Sequence, residues 1–217
     1  CVQFELYHQK AVRFLINIGL SEVRSDKKEI PFIILRSKKE YVIEFLRGLF
    51  EGDGSVHISV RKKYGGTNIE LAYHSKSKEL INQLKVVLLN FGIGSTKAYK
   101  DKRNGCYKVQ FSGYENIRTF YDKIGFFSDK KRGRLAKVEQ LNGHRMSRTD
   151  IIPFVAKYLR KNYKKEFIHK HNFDRYNNLR KNIGKLKSIC TPSDYGFLKD
   201  LLDRKYFFNR IEEVKKE

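Results

Sequence analysis

The chain has 217 residues and a formal net charge of +22, because 46 lysines and arginines oppose only 24 acidic residues. Its 40% hydrophobic and 13% aromatic residues exclude a disordered chain and are sufficient for a sizeable core. No apolar run approaches the roughly 20 residues of a membrane-spanning helix, and no signal peptide is recognisable, so we expect no membrane association. The charge favours a polyanionic partner, most simply nucleic acid.

The three cysteines, Cys1, Cys106 and Cys190, stand far apart and form no C-x-x-C pair. This spacing predicts neither a zinc knuckle nor a disulfide framework, and it indicates a reducing, intracellular setting, cytoplasmic or nucleoid-associated. His169 and His171 form an H-x-H pair. Because no further ligand stands nearby in the sequence, we interpret this pair as part of a solvated basic segment.

The opening segment, residues 1–31, shares short motifs with a later part of the chain. The matching pairs are Val2-Gln-Phe4 with Val109-Gln-Phe111, Arg13–Leu20 with Thr119–Phe126, and Ser25-Asp-Lys-Lys28 with Ser128-Asp-Lys-Lys131. Each match alone is within chance, but all three occur in the same order. We therefore interpret residues 1–31 as the tail of a first, incomplete repeat, and residues 32–143 as a complete copy of the same unit.

A helix is predicted from Ser37 onwards, since Ser37 and Glu40 form a capping box. Its apolar face has helical spacing and consists of Val42, Phe45, Leu46, Leu49 and Phe50. Gly48 and Gly52, four residues apart, share one face, on which a second such helix can approach closely beside Leu49.

The helix ends in Asp53-Gly54. A carboxylate at the negative end of the helix dipole is unfavourable unless a cation neutralises it, and a divalent metal ion is the natural candidate. From Ser55 to Arg61 polar and apolar residues alternate strictly, which predicts a strand. The alternative is an ordinary core helix that ends at a glycine cap before a hairpin.

The rest of the complete copy reads as strand, helix, two strands and two helices. The predicted ranges are a turn at 64–67, strands at 67–74, 95–101 and 106–112, and helices at 77–91, 114–124 and 130–142. Ile69, Leu71 and Tyr73 are expected on one buried face. Four antiparallel strands with helices on one face define an α+β fold whose other face is polar.

This polar face is predicted to carry most of the side chains that contact nucleic acid. They are Ser55, His57, Ser59, Arg61, Asn68, Glu70, His74, Lys97, Lys108 and Gln110. Arg, Lys, Asn and Gln on a β-ribbon can discriminate base pairs in the major groove. Ordinary solvation of a sheet surface is the alternative.

Beyond Gly143 the pattern changes to segments rich in Lys, Arg, Tyr and Asn. Helices are predicted at 154–166, 173–183 and 194–204, followed by a strand at 206–214. We expect residues 144–217 to form a basic helical extension that contacts phosphates, with a merely solvated appendage as the alternative.

The segment Leu46-Arg-Gly-Leu-Phe-Glu-Gly-Asp-Gly54 resembles the signature of the LAGLIDADG homing endonucleases, with Gly48, Asp53 and Gly54 at its characteristic positions. Further blocks resemble intein-encoded, archaeal-type members with two repeats: Lys28-Glu-Ile-Pro31, Leu88–Ile93, Ile124-Gly-Phe126 and Asp129-Lys-Lys131. The resemblance covers roughly residues 1–142, and the order of its blocks makes it specific.

This resemblance implies an αββαββα unit with a saddle-shaped antiparallel sheet that binds double-stranded DNA. It also implies site-specific cleavage of both strands by hydrolysis with Mg²⁺ or Mn²⁺. Asp53 would be a direct metal ligand, with Gly52 beside it. Lys131 or its neighbour Lys130 would lie near the attacking water or the phosphate.

Two further expectations come from the same resemblance. Lys28 or Lys27 would be the counterpart of the later lysine pair from the first repeat, and Ser75, with His74 and Lys76, would order water near the metal. The active site of the family needs two signature helices, each with one carboxylate, whereas this sequence has one. The second must come from a missing first half or from a second copy of the chain.

Two other functions stay open. The same fold occurs in RNA maturases and transcription regulators that bind nucleic acid without cutting it, although the intact Asp53 argues against a decayed site. A ribosomal or structural RNA-binding protein would also explain the charge but not the ordered blocks.

Overall fold

The computed structural model describes residues 7–60, 67–96, 98–140, 150–204, 206 and 208. The chain divides into two compact units, Cys1–Met146 and Ser147–Glu217. Among the helices of the described residues, none combines the length and the apolar character that crossing a membrane would require.

The first unit contains the predicted alternation of helices and strands. Its elements are α1 (Gln9–Asn17), α2 (Phe32–Leu35), α3 (Lys39–Asp53), β1 (Gly54–Val60), β2 (Thr67–Ser75), α4 (Lys78–Asn90), β3 (Tyr99–Lys100), β4 (Tyr107–Ser112), α5 (Tyr114–Lys123), α6 (Asp129–Ala136) and a 3-10 turn at Lys137–Gln140. The strands form one antiparallel sheet in the order β1-β2-β4-β3. From α3 to α5 the order is αββαββα, and α6 follows, so the predicted α+β fold is confirmed.

The core lies between one face of the sheet and the helices. Ile69, Leu71 and Tyr73 of β2 are buried as predicted. The ring of Phe50 on α3 lies 5.6 Å from that of Tyr73 and 5.0 Å from that of Phe120 on α5, centroid to centroid. Such tilted aromatic pairs stabilise a core beyond the area they bury, so they fix the end of α3 against the sheet.

Helix α3 differs from the sequence prediction at its first turn. Its N-cap is Lys38, with no side-chain cap, and the Ser37 hydroxyl donates to the carbonyl of Ile33 instead. The capping-box prediction was therefore wrong, because Ser37 closes the preceding helix α2. The predicted apolar face is present: Val42, Leu46 and Phe50 are buried, while the side chains beside them are half-buried.

The third strand is shorter than predicted, since β3 contains only Tyr99 and Lys100. The adjoining segment is held by the buried side chain of Asn116 on α5. Its amide oxygen accepts from the N–H of Gly94 at 3.1 Å, and its amide nitrogen donates to the carbonyls of Gly94 and Ser112 at 2.9 and 3.1 Å. One side chain thus replaces ladder hydrogen bonds that a longer strand would have made.

Residues 7–36 precede this core. Helix α1 has no buried residue, and Phe14 remains 62% exposed. Gly19 after α1 and Gly125 after α5 both have a positive φ. The two segments that share motifs within the sequence, Arg13–Leu20 and Thr119–Phe126, therefore also share this turn. The segment is anchored to α4 by the N–H of Ile30, which donates to Gln83 at 2.7 Å.

The second unit is helical and has its own apolar core. It contains α7 (Val155–Asn162), α8 (Glu166–Lys170), α9 (Tyr176–Leu186) and α10 (Pro192–Arg204). Leu159, Phe173 and Leu179 are completely buried in it. The predicted helix 154–166 ends at Asn162, and the predicted strand at 206–214 falls largely outside the described residues.

Candidate functional site

The end of α3 brings an exposed carboxylate to the edge of the sheet. Asp53 is the last residue of the helix, and Gly54 starts β1 directly. The N–H of Gly54 donates to the carbonyl of Phe50. A Cβ at Gly54 would lie 2.4 Å from that carbonyl oxygen, a contact that real structures do not show. Only glycine therefore permits this abrupt passage from helix to strand.

Tyr73 of the neighbouring strand lies close to this carboxylate. It pairs with Gly54 in the register of β1 and β2 and is 3% exposed. Burial raises the pKa of the Tyr73 hydroxyl well above its usual range, and the negative charge of the nearby Asp53 carboxylate raises it further. The tyrosine therefore stays a hydrogen-bond donor. The sequence indicated Tyr73 only as a core residue, because alternation does not show that its hydroxyl reaches a carboxylate.

A reciprocal pair of contacts, here called the α3–α6 clasp, joins the end of α3 to the start of α6. The ammonium of Lys131 on α6 donates to the carbonyls of Phe50, at 3.1 Å, and Glu51, at 2.5 Å. The carboxylate of Glu51 accepts from the backbone N–H of Phe127 at 2.8 Å and of Ser128 at 3.3 Å. Each helix thus places a charge at the other's terminus, with the sign that its dipole favours.

The clasp has an electrostatic signature at Glu51. Partial burial raises the pKa of this carboxyl, but hydrogen bonds from Ser128 and Phe127 and the charge of Lys131 outweigh it, so the pKa is lowered. Lys131 also lies 5.4 Å from the centroid of the Phe126 ring. Lys131 therefore supplies part of the positive charge that the sequence predicted at the end of α3.

The other predicted catalytic residues have simpler surroundings. Lys130 is exposed, as are Lys27 and Lys28. Ser75 is half-buried at the end of β2, and its hydroxyl accepts from the N–H of Ser77 at 3.1 Å, in the turn into α4. Within the described ranges, no three His, Cys, Asp or Glu side chains lie close enough together to hold a metal ion.

Most of the predicted nucleic-acid contact residues lie in rows on the polar face of the sheet. The register pairs His57 with Glu70, Ser59 with Asn68, Ser55 with Ala72, Ala72 with Gln110, and His74 with Lys108. Because paired residues share a face, these side chains lie on one surface. Two of the predicted members, Arg61 and Lys97, lie outside the described residues.

Several of these side chains are already paired across the strands. Lys108 forms a 3.4 Å ion pair with Glu70, and Tyr99 donates to Gln110 at 3.0 Å. Burial and the positive charge of Lys108 lower the pKa of His74, so its imidazole is neutral at pH 7. The polar face is thus an ordered network of donors and acceptors.

The loop between β3 and β4 carries a further ion pair. Arg103 contacts the carboxylate of Asp101 through its backbone N–H and through its guanidinium, at 2.6 to 3.0 Å. The hydrogen bond from the Arg103 side chain holds the pKa of Asp101 well below its usual range. This loop therefore keeps a fixed shape at the end of the sheet.

The glycine face of α3 is open. Gly48 and Gly52 are exposed, and a Cβ at either would meet nothing within 4 Å. Leu49 beside them is half-buried, and Tyr41 on the same helix is 60% exposed. Nothing in the described part of the first unit requires glycine at these two positions.

Residues 40–125 match the model of a family described as the LAGLIDADG-like domain. The chain contains a LAGLIDADG-like domain. The matched range begins in the first turn of α3 and ends just after α5, so it includes Asp53, Tyr73 and the polar face of the sheet. It omits α6 and therefore Lys130 and Lys131.

Similar proteins carry different names. The chain is 29% identical over 199 residues to a DNA gyrase A polypeptide of Mycobacterium kansasii, covering 88% of this chain and 35% of the relative. It is 32% identical over 133 residues to a replication factor C small subunit of Methanocaldococcus jannaschii, covering 60% and 7%. It is 29% identical over 150 residues to a replicative DNA helicase of Rhodothermus marinus, covering 67% and 16%. The chain thus spans about a third or less of the length of these relatives.

Among solved structures, the chain is similar to a crystal structure of the homing endonuclease I-CvuI in complex with target DNA. The TM-score is 0.38 with 17% sequence identity, covering 47% of this chain and 66% of that one.

Proposed function

We propose that the LAGLIDADG-like domain of this chain supplies one half of a site-specific, metal-dependent DNA endonuclease. The observation that carries this proposal is the exposed Asp53 carboxylate, which lies beside Tyr73 at the end of α3 where the sheet begins. A signature helix that ends in an acidic residue beside a surface suited to DNA would place a metal ligand next to a phosphodiester.

The donor set suits a hard divalent cation such as Mg²⁺ or Mn²⁺, which prefers oxygen ligands. The carboxylate of Asp53 and the carbonyl of Gly52 would hold it, completed by a carboxylate from a second repeat. When bound, such an ion supplies an activated water and offsets negative charge on the phosphate. Tyr73 keeps the carboxylate oriented, because its buried hydroxyl remains protonated.

The second repeat would pack on the glycine face of α3. Gly48 and Gly52 leave open space on an exposed helix face, and Leu49 offers an apolar contact beside them. Helices with small residues four apart approach closely. The partner is either a first repeat that precedes this sequence in a longer chain or a second copy of the chain.

Duplex DNA would lie against the polar face of the sheet. His57, Asn68 and Gln110 offer hydrogen-bond donors and acceptors for base edges, and Lys108 offers a cation. The large positive charge supplies the sequence-independent part of the affinity.

The relatives support an origin of this segment as an inserted, mobile genetic element. Gyrase, helicase and replication factor subunits perform different tasks, yet each matches this chain over a minor part of its own length. A segment shared by such different proteins is expected for an inserted element of the intein-encoded type, whose endonuclease serves its own transfer.

The second unit would add contacts to flanking DNA. Helix α9 exposes Arg180, Lys181 and Lys185 on one side while Leu179 and Leu186 pack in the core. Exposed cations on a rigid helix suit phosphate contacts. Replacing Arg180 and Lys181 by Gln should lower the slope of log affinity against log salt by about 0.9 for each phosphate that is no longer neutralised. Lys199→Gln on α10, a helix rich in Asp, is the matched control and should leave the slope unchanged.

For this chain alone, cleavage of DNA has to be distinguished from binding without cleavage, because the described residues offer a single signature carboxylate. The test is selection of duplexes from a randomised library, followed by incubation of the selected DNA with Mg²⁺. We expect binding that weakens steeply with salt, and cleavage when two signature helices can pair. Asp53→Asn should abolish cleavage and preserve binding, whereas Asp203→Asn, the same chemical change on α10, should affect neither.

Each other outcome has a defined meaning. Cleavage that survives in Asp53→Asn refutes the metal-ligand assignment. A salt slope near zero refutes the nucleic-acid proposal. Preference for structured RNA over duplex DNA, without cutting, points to a maturase-like binding protein.

A further inference from the structure

Lys130 and Lys131 are adjacent on α6 but have different surroundings. Lys131 is half-buried, and its ammonium binds two carbonyls at the end of α3. Lys130 is exposed, and within the described residues its side chain makes no hydrogen bond or ion pair. Consecutive residues on a helix point about 100° apart. The two side chains therefore leave the helix in different directions.

The contacts of Lys131 are those of a structural residue. The last carbonyls of a helix lack partners within it, and a buried carbonyl without a donor is unfavourable. Lys131 donates to the carbonyl of Glu51 and, besides the Gly54 N–H, to that of Phe50, and the Glu51 carboxylate in turn accepts from the N–H groups before α6. Moving this ammonium to a phosphate would leave both carbonyls without it and weaken the clasp.

We infer that Lys131 is a positioning residue, which holds the end of α3 and hence Asp53 in place, and that Lys130 is the lysine that meets a DNA phosphate. The Lys130 part of this inference rests on the proposed function. The Lys131 part rests only on the α3–α6 clasp. The inference also gives Glu51 a role, because its carboxylate completes the same clasp.

The test compares Lys130→Met and Lys131→Met in the full chain, with Glu51→Gln as the partner variant of the clasp. Lys39→Met, at the opposite end of α3, is the control for loss of an exposed lysine. Two quantities are measured for each variant: hydrogen exchange in peptides from α3 and α6, and the salt dependence of affinity for a duplex of random sequence.

We expect Lys131→Met and Glu51→Gln to speed exchange at the end of α3 and the start of α6 by about 10-fold. The double variant should be little worse than either single one, because both remove the same clasp. Lys130→Met and Lys39→Met should leave exchange unchanged. Lys130→Met should reduce the salt slope by about 0.9, while Lys131→Met should leave it unchanged.

Exchange that is unaffected by Lys131→Met overturns the positioning role. A salt slope that falls for Lys131→Met and not for Lys130→Met overturns the division between the two lysines. If the unmodified chain shows no salt-dependent affinity for duplex DNA, the proposed function and the Lys130 role both fail. The exchange result for Lys131 still decides the clasp on its own, so the two failures are distinguishable.

Discussion

The three glycines near the end of α3 should respond in opposite ways to the same substitution. Gly54 has φ −78° and ψ 146°, values that alanine adopts without strain. The obstacle is contact, because an added Cβ would lie 2.4 Å from the carbonyl oxygen of Phe50 and 2.8 Å from its Cα and Cδ1. Gly48 and Gly52 have open space instead.

The magnitudes follow from these contacts. Overpacking against a buried backbone costs about 1–3 kcal/mol, and displacing the Gly54 N–H from Phe50 loses about 0.5–1.5 kcal/mol more. Gly54→Ala should therefore lower the free energy of unfolding of the first unit by about 2–4 kcal/mol. Gly48→Ala, inside the helix, should raise it by about 0.5–1 kcal/mol.

Hydrogen exchange in peptides from α3 and β1 is the suitable assay, because it reads the first unit separately from the second. Peptides from α9 and α10 serve as an internal control and should be unaffected by either substitution. A loss below about 1 kcal/mol for Gly54→Ala would show that the helix and strand separate easily at this point. Such a small loss would refute close contact as the reason for glycine at this position.

Three further predictions concern side chains near the site and core. Tyr73→Phe should weaken Mn²⁺ binding measured by calorimetry and lower stability by about 0.5–1.5 kcal/mol, because the buried hydroxyl beside the Asp53 carboxylate is lost while the ring still packs. Unchanged Mn²⁺ affinity would exclude an orienting role for Tyr73. The lowered pKa of Glu51 contributes stability above its ordinary value of 4.5, which is lost as pH falls through the folded-state pKa. Glu51→Gln should thus flatten the acid limb of an unfolding curve, and an identical limb would contradict the shift. Asn116→Asp should lower stability by about 2–3 kcal/mol in thermal melts at pH 7, because a carboxylate would face the carbonyls of Gly94 and Ser112. Asn182→Asp, at a half-buried position of α9, is the comparison. Equal effects of the two substitutions would refute the special role of Asn116.

The fold was largely predictable because its elements have clear periodicity. Alternation in β2 predicted that Ile69, Leu71 and Tyr73 are buried, and the helical spacing in α3 predicted Val42, Leu46 and Phe50. Errors arose where a side chain has two local options. Ser37 can cap the next helix or bond backward to α2, and the sequence does not determine which hydrogen bond is made.

The site was predictable only in its most local part. Asp53 and the residues of the polar face follow from positions along single elements. The approach of Tyr73 to Asp53 and the clasp of Glu51 with Lys131 join residues that are far apart in sequence, so they depend on tertiary packing. The sequence did indicate that a cation was needed at the end of α3 and did name Lys131, but it did not connect the two observations.

The cross-strand ion pair of Glu70 and Lys108 has a consequence for changing target preference. Residues in direct contact do not contribute additively, so neither side chain can be altered without changing the electrostatic surroundings and the freedom of the other. Replacing Glu70 alone frees the Lys108 ammonium to attract any phosphate, which raises affinity for all duplexes and lowers selectivity between them. Replacing Lys108 alone leaves an anion facing DNA. A library designed to change the target preference of this surface should therefore vary positions 70 and 108 together.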